Sequence, residues 1–212
     1  MSNNKKESFK EINVERLNIV DPAGKVKMSL FNQDNIPPVL MNGEDILPGH
    51  RQKDPISGIM FYNQNEDECG GLIYGNGKDE NDNETVFASL TFDQFKQDQV
   101  VQMRYVEENE ERHYGFSIFD RPSTPLPELI KEYENIQTRD NNTGNQHEKL
   151  ADLFKGNAER AFMGKNKNGE VTVHLNDQNG NQRIRMVIDE HDVPKLEFLN
   201  AQGEVTYKLP PE

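Results

Sequence analysis

One pattern constrains this chain more than any other: a short polar turn closed by glycine, flanked on both sides by strictly alternating apolar residues. It runs from Leu17 through Asp21 and Gly24 to Leu30, from Phe162 through Gly169 to Leu175, from Val173 through Gly180 to Ile188, and from Leu196 through Gly203 to Leu209. An Asp or Asn opens such a turn with its side-chain oxygen, and Gly takes the position of positive φ that closes it. Alternation puts one side of each strand on a core and the other in water. Between Gly169 and Gly203 the turn centres recur about every eleven residues, with residues 191–194 as the intermediate turn, a spacing typical of an all-β meander. The last third of the chain therefore reads as an up-and-down antiparallel sheet, which the Leu17–Leu30 hairpin pairs with or extends.

The middle of the chain, 56–121, reads as less regular β structure. Strands are predicted at 59–62, 71–74, 86–92, 99–106 and 113–119. Several carry large apolar residues on both faces, as a buried sheet does. Residues 32–55, with four prolines and few apolar positions, read as a long loop. After Pro122–Pro127 the spacing of Leu129, Ile130, Tyr133 and Ile136, and then of Leu150, Leu153 and Phe154, predicts helices over 128–138 and 146–155, joined by a flexible link at 139–144. The expected fold class is mainly β: antiparallel meander and hairpin repeats forming a sandwich or barrel-like sheet, with a small two-helix insertion. The expected organisation is an N-terminal and central β region (1–121), a helical insertion (122–158) and a C-terminal meander (159–212).

Charge narrows the function classes. The 37 Asp and Glu against 24 Lys and Arg give a formal net charge of −13, which repels nucleic-acid phosphates and anionic lipid. No nucleic acid and no membrane partner is expected. Lys25, Lys27, Arg183 and Arg185 alternate on strands and read as the wet face of a sheet. The single cysteine, Cys69, allows no intramolecular disulfide and no cysteine-built zinc site. With no signal-peptide pattern at the start and no apolar run of membrane length, the expected location is the cytoplasm.

Each candidate for chemistry has a plainer counterpart. Asp67, Glu68 and Cys69 precede Gly70 and Gly71, which suggests a thiol nucleophile beside a backbone-donor pocket. Carboxylates, however, raise a thiol's pKa, so a packed cysteine at a bulge is the favoured reading. Asp79, Asn81 and Asn83 match the first half of a calcium loop, but Glu84 and Leu90 stand where the loop needs Gly and Glu. The polar stretch 92–99, with Asp93 and Gln94, lines a pocket or forms an exposed connection. Asp120 and Arg121 end a strand as an adjacent ion pair that braces a loop or serves a site. The five histidines lack metal-ligand spacing, and there is no nucleophile elbow, phosphate loop or dinucleotide fingerprint. No cofactor and no metal is expected.

The segments 15–21, 58–63, 68–74, 89–94, 97–101 and 119–122 together resemble a family of uncharacterised bacterial β-rich proteins. The resemblance runs through most of the chain and implies one β architecture; it brings no catalytic residues. The C-terminal hairpins also resemble the short repeats of single-layer β proteins. The function expected is that of a non-enzymatic, oligomeric β-rich binding or structural protein, a homo-oligomer held partly through its hairpins. The alternative is an enzyme of unrecognised type with a pocket around Asp67, Glu68, Cys69, Asp93 and Asp120.

Overall fold

The structure, a computed structural model, describes residues 7–78, 82–109, 111–139 and 143–211. The chain is mainly β. In order it forms β1 (Arg16–Val20), β2 (Val26–Phe31), β3 (Leu40–Met41), β4 (Glu44–Asp45), β5 (Ile56–Tyr62), β6 (Glu68–Lys78), β7 (Glu84–Asp93), β8 (Gln99–Glu108) and β9 (Glu111–Asp120). Helices α1 (Leu126–Arg139) and α2 (Thr143–Leu153) follow, then β10 (Ala158–Lys165), β11 (Val171–Asn176), β12 (Gln182–Ile188), β13 (Pro194–Leu199) and β14 (Val205–Leu209). Twelve of these strands form one antiparallel sheet in the order β1-β2-β5-β6-β7-β8-β9-β10-β11-β12-β13-β14, while β3 and β4 make a separate small hairpin. The order is a meander, not a closed barrel. Strand β9 pairs directly with β10 across the helical insertion. The Leu17–Leu30 hairpin extends the sheet at the end opposite the C-terminal strands.

Six five-residue turns share one geometry, opened by Asp21, Asn63, Asn166, Asp177, Asp189 and Asn200. In each, the opening side chain's Oδ1 accepts from the amides two and four residues on, at 2.8–3.1 Å. The residue at the fourth place has positive φ. It is Gly24, Gly169, Gly180 and Gly203 in four turns, but Glu66 (64°) and Asp192 (61°) in the others. The turn predicted at 191–194 is therefore opened two residues earlier, by Asp189. The free atom of the opening side chain follows a simple rule. Where it is Asp, Oδ2 faces a cation six residues on: Lys27 at 3.4 Å, Arg183 at 3.5 Å and Lys195 at 2.7 Å. Where it is Asn, Nδ2 donates to the carboxylate four residues on: Asp67 at 2.8 Å, Glu170 at 2.7 Å and Glu204 at 2.8 Å. Each turn thus carries its own electrostatic partner, at its last residue when Asn opens it and in the following strand when Asp does. The Asp189 carboxyl is held down at about 2 by Lys195 and the turn amides.

The two faces of the sheet differ. Following the pairing from strand to strand, one row reads Leu17, Leu30, Ile59, Leu72, Leu90, Met103, Phe116, Met163, Val173, Met186, Leu196, Leu209. It is an unbroken apolar line with one residue from each of the twelve strands. A parallel row, from Phe92 through Val101, Ile118, Ala161, Leu175, Ile184 and Phe198 to Tyr207, is also wholly apolar. The opposite face is largely polar over the same strands: Gln102, Ser117, Phe162, His174, Arg185, Glu197 and Lys208 are successive partners, Phe162 the single apolar member. Gly115 and Gly164 sit side by side there, and the Phe162 ring lies over both, where a Cβ on either would meet it at 2.6–2.7 Å. His174 stacks on the Phe162 ring with centroids 5.4 Å apart.

The packed core lies on the polar face, at the N-terminal end. Ile56, Met60 and Tyr62 alternate inward from β5 and meet Phe31 of β2 and Ile36 and Leu40 of the proline-rich segment. Residues 32–55 are thus an ordered cover. Helix α1 begins earlier than its apolar spacing predicts, because the Leu126 amide donates to the Lys96 carbonyl at 2.8 Å. Its Leu129 and Ile136 are buried, and Tyr133 meets Phe154 after α2. The predicted link at 139–144 and the calcium-like stretch at 79–84 fall partly outside the described residues.

Candidate functional site

A groove of about 700 Å³ opens on the polar face between the 32–55 cover, strands β6–β8 and helix α1. Its apolar part is made by Met41, Ile73, Phe87 and Ile130, and its polar end by Glu68, Asp93, Asp98 and Gln102. Volume and composition suit a small ligand.

The clamp at this end is Arg51, buried in the cover. Its guanidinium donates from Nη1 to Glu68 Oε1 at 3.0 Å and from Nη2 to Oε2 at 2.6 Å. The same group donates to the carbonyls of Pro37 at 2.9 Å and Pro38 at 2.8 Å. A planar fork is the one side chain able to satisfy a carboxylate and two carbonyls at once. Arg51 therefore joins the cover to the sheet and fixes Glu68 at the rim of the groove.

Asp93 terminates β7 with Oδ1 buried and without a hydrogen-bond partner. Burial first, then the negative charges of Glu68 and Asp98, push its carboxyl up to about 7, against the opposing pull of Arg121 and Arg51. Cys69 is half-buried, and burial followed by Asp93, Glu68 and Asp67 pushes its thiol up. A thiolate is disfavoured here.

The other sequence candidates are tied to the scaffold. Asp67 is fully buried; it accepts from the Asn42 amide at 2.7 Å and from Asn63 Nδ2 at 2.8 Å, pinning the β3–β4 hairpin to the β5–β6 turn. Gln94 Nε2 donates to the Pro122 carbonyl at 3.0 Å, and Gln97 Nε2 to that of Thr124 at 2.8 Å. Asp120 and Arg121 look to different partners: Asp120 pairs with Arg160, while Arg121 donates to the Gln99 carbonyl at 2.7 Å and to Asn157 at 2.6 Å, with Asp98 at 3.5 Å. Of the seven candidates, Glu68 and Asp93 line the groove. Among the described residues no three His, Cys, Asp or Glu side chains gather to hold a metal ion, and no helix is long and apolar enough to cross a membrane.

No family model matches the sequence, and no curated protein matches it. Function must be read from the surfaces themselves.

The second feature that calls for a partner is the apolar face. Leu17, Leu72, Met103, Met163, Met186 and Leu209 of the twelve-residue row are each 38–58% exposed, and no member of that row is buried. Phe92, Ile118, Leu175, Phe198 and Tyr207 of the neighbouring row are exposed as well. Two shallow apolar troughs indent the face, one of about 880 Å³ around Leu90, Met103 and Phe116 and one of about 500 Å³ around Val173, Met186 and Leu196. Sequence reading recognised the alternation but not this surface, because lateral alignment of the strands depends on the bulges that the turns introduce, as at Leu175/Asn176 and Phe198/Leu199.

Proposed function

We propose that the chain is a non-enzymatic, oligomeric β protein that acts by association, its sheet serving as a platform for a protein partner in the cytoplasm. The observation that carries this reading is the apolar row crossing all twelve strands in solvent. Apolar patches larger than a few hundred Å² mark interaction surfaces on folded proteins. The fate of the sequence candidates supports it too: Asp67, Gln94, Asp120 and Arg121 are held by backbone groups and ion pairs of the scaffold. Sedimentation equilibrium of the full chain tests the reading. It expects a concentration-dependent mass above 24.4 kDa; a mass that stays at that of one chain at all concentrations overturns it.

A second reading is favoured by Asp93. An unpartnered, buried carboxylate oxygen beside Glu68 in a concave groove is where a small molecule with a hydrogen-bond donor binds, whether as ligand or as the substrate of an enzyme of unrecognised type. Thermal-shift screening with small amines and polyols separates the two: a stabilising hit abolished by Asp93→Asn supports the groove, and a hit retained by that variant sinks it.

A further inference from the structure

We infer that the apolar face is the contact between two copies of this chain, packed sheet on sheet about a twofold axis. The inference rests on the association reading above and names its partner.

Three properties of the face select a second copy. The first is its size. The two apolar rows, with the row from Tyr74 through Tyr105, Tyr114 and Val171 to Ile188 beside them, cover β6 to β14. Nine strands at about 4.8 Å and three side chains at about 6.7 Å give a footprint of roughly 40 by 20 Å, or about 800 Å² per copy. That is the area each partner contributes to a stable protein interface of standard size.

The second is charge. The chain carries −13, so two copies repel unless their contact avoids carboxylates. Along the three rows the one ionised side chain is Lys165. Beyond the rows, Glu107 of the larger trough is neutralised by Arg112 at 3.0 Å and Asp120 at the end of β9 by Arg160, while on the polar face Glu159 and Glu197 pair with His174 and Arg185. A cationic partner finds no carboxylate along the three rows and only the already paired Glu107 beside them, whereas an identical acidic chain meets no unpaired carboxylate there.

The third is pattern. A twofold contact requires a patch complementary to itself. Here the first two rows present an apolar side chain at every strand step, so strands of one copy laid over strands of the other meet apolar with apolar along both. Exposed Met103, Met163 and Met186 are ridges of unbranched, adaptable side chains, and the troughs beside Leu90 and Leu196 are where such ridges seat. Sheets pack this way about 10 Å apart with strands nearly aligned. Lipid is the poorer occupant. Strands β6–β9 have 11, 10, 10 and 10 residues, but β10–β14 have only 8, 6, 7, 6 and 5, so more than half of the face falls short of the roughly 9–11 that cross a bilayer, and the net charge opposes anionic headgroups.

The experiment combines sedimentation velocity with methyl NMR of ¹³C-methionine-labelled full-length chain, from about 5 to about 200 µM. A species of twice 24.4 kDa is expected. The Met103, Met163 and Met186 methyl signals shift on dilution, while those of the buried Met41 and Met60 stay fixed. Met163→Glu with Met186→Glu raises the dimer Kd by roughly 100-fold or more, since it buries two unpaired carboxylates per copy. The Gln pair, uncharged at the same exposed positions, weakens it less and guards against misfolding, with circular dichroism unchanged in both. A dimer that ignores these variants while the three methyls stay fixed overturns the face-to-face contact and leaves the association reading standing. A monomer at the highest concentration overturns both. A monomer that binds phosphatidylcholine vesicles assigns the face to lipid and overturns the second copy.

Discussion

Replacing Arg51 with Met tests whether the cover over residues 32–55 is held to the sheet by one side chain. Arg51 is 8% exposed, and its guanidinium makes four hydrogen bonds, two to Glu68 and two to the carbonyls of Pro37 and Pro38. The substitution leaves both carbonyls without their donor and the Glu68 carboxylate, 18% exposed, without its cation. Unsatisfied buried acceptors cost about 1–3 kcal/mol each, and breaking a buried pair by removing one partner costs about 3–5 kcal/mol. Because the Glu68 end retains some solvent, the expected loss is about 4 kcal/mol. Glu68→Met strands the guanidinium but spares its two carbonyl bonds, and is expected to cost about 3 kcal/mol. The double variant loses the two carbonyl bonds but no longer buries a lone charge, so it costs less than Arg51→Met, about 3 kcal/mol, leaving the pair non-additive by about 4 kcal/mol. Urea unfolding followed by far-UV circular dichroism, with the slope m compared across the four proteins, measures the cycle. An Arg51→Met cost below about 1 kcal/mol, or additivity within about 0.5 kcal/mol, would show that the apolar contacts of Ile36 and Leu40 hold the cover without the clamp.

Other consequences are open to direct measurement. Since burial raises the Asp93 carboxyl from 3.8 to about 7, the folded state keeps a proton that the unfolded chain releases. The stability it contributes is full below pH of about 4 and is lost as pH rises through about 7; Asp93→Asn removes that loss, gaining up to about 4 kcal/mol on wild type between pH 4 and 8. A variant whose pH profile parallels wild type refutes it. Gly203→Ala, at φ 81°, is expected to cost about 1 kcal/mol, whereas Asp192→Gly, at 61° in the equivalent turn place, is expected to raise the thermal midpoint slightly. Gly164→Ala drives a methyl to within 2.1 Å of the Tyr114 carbonyl and 2.6 Å of Gly115 Cα; a cost above about 2 kcal/mol in chemical denaturation is expected, and a neutral result means the β9–β10 ladder yields more readily than its packing suggests.

The meander was legible because its information is local. An opening Asx, a residue of positive φ three places on and alternating apolar positions specify a hairpin without reference to the rest of the chain, and so Gly24, Gly169, Gly180 and Gly203 marked their turns correctly. Where the fourth residue is Glu66 or Asp192, the glycine signal vanishes while the geometry persists. The helix-flanking contacts are another matter: the Lys96 carbonyl that starts α1 lies thirty residues from Leu126. The groove was legible only in half. Glu68 and Asp93 stand out as carboxylates beside strand ends, but Arg51 lies in a segment of prolines and polar residues with no periodicity, and its partners are carbonyls that every sequence possesses. A cation recruited by backbone acceptors leaves no trace in spacing.

Nothing in the order of the C-terminal strands brings distant parts of the sequence together: β11 touches β10 and β12, β12 touches β11 and β13, and so on to the edge. A structure of this kind behaves as a linear array, its free energy a sum over adjacent interfaces, not the property of one indivisible core. Protection of backbone amides should then fall stepwise from β10 toward β14, each strand opening without waiting for the ones inside it. The same property makes length a free variable. Adding or deleting a pair of strands with their turns preserves the alternation of both faces and every remaining neighbour, so a lineage of such chains can grow or shrink two strands at a time while keeping its fold.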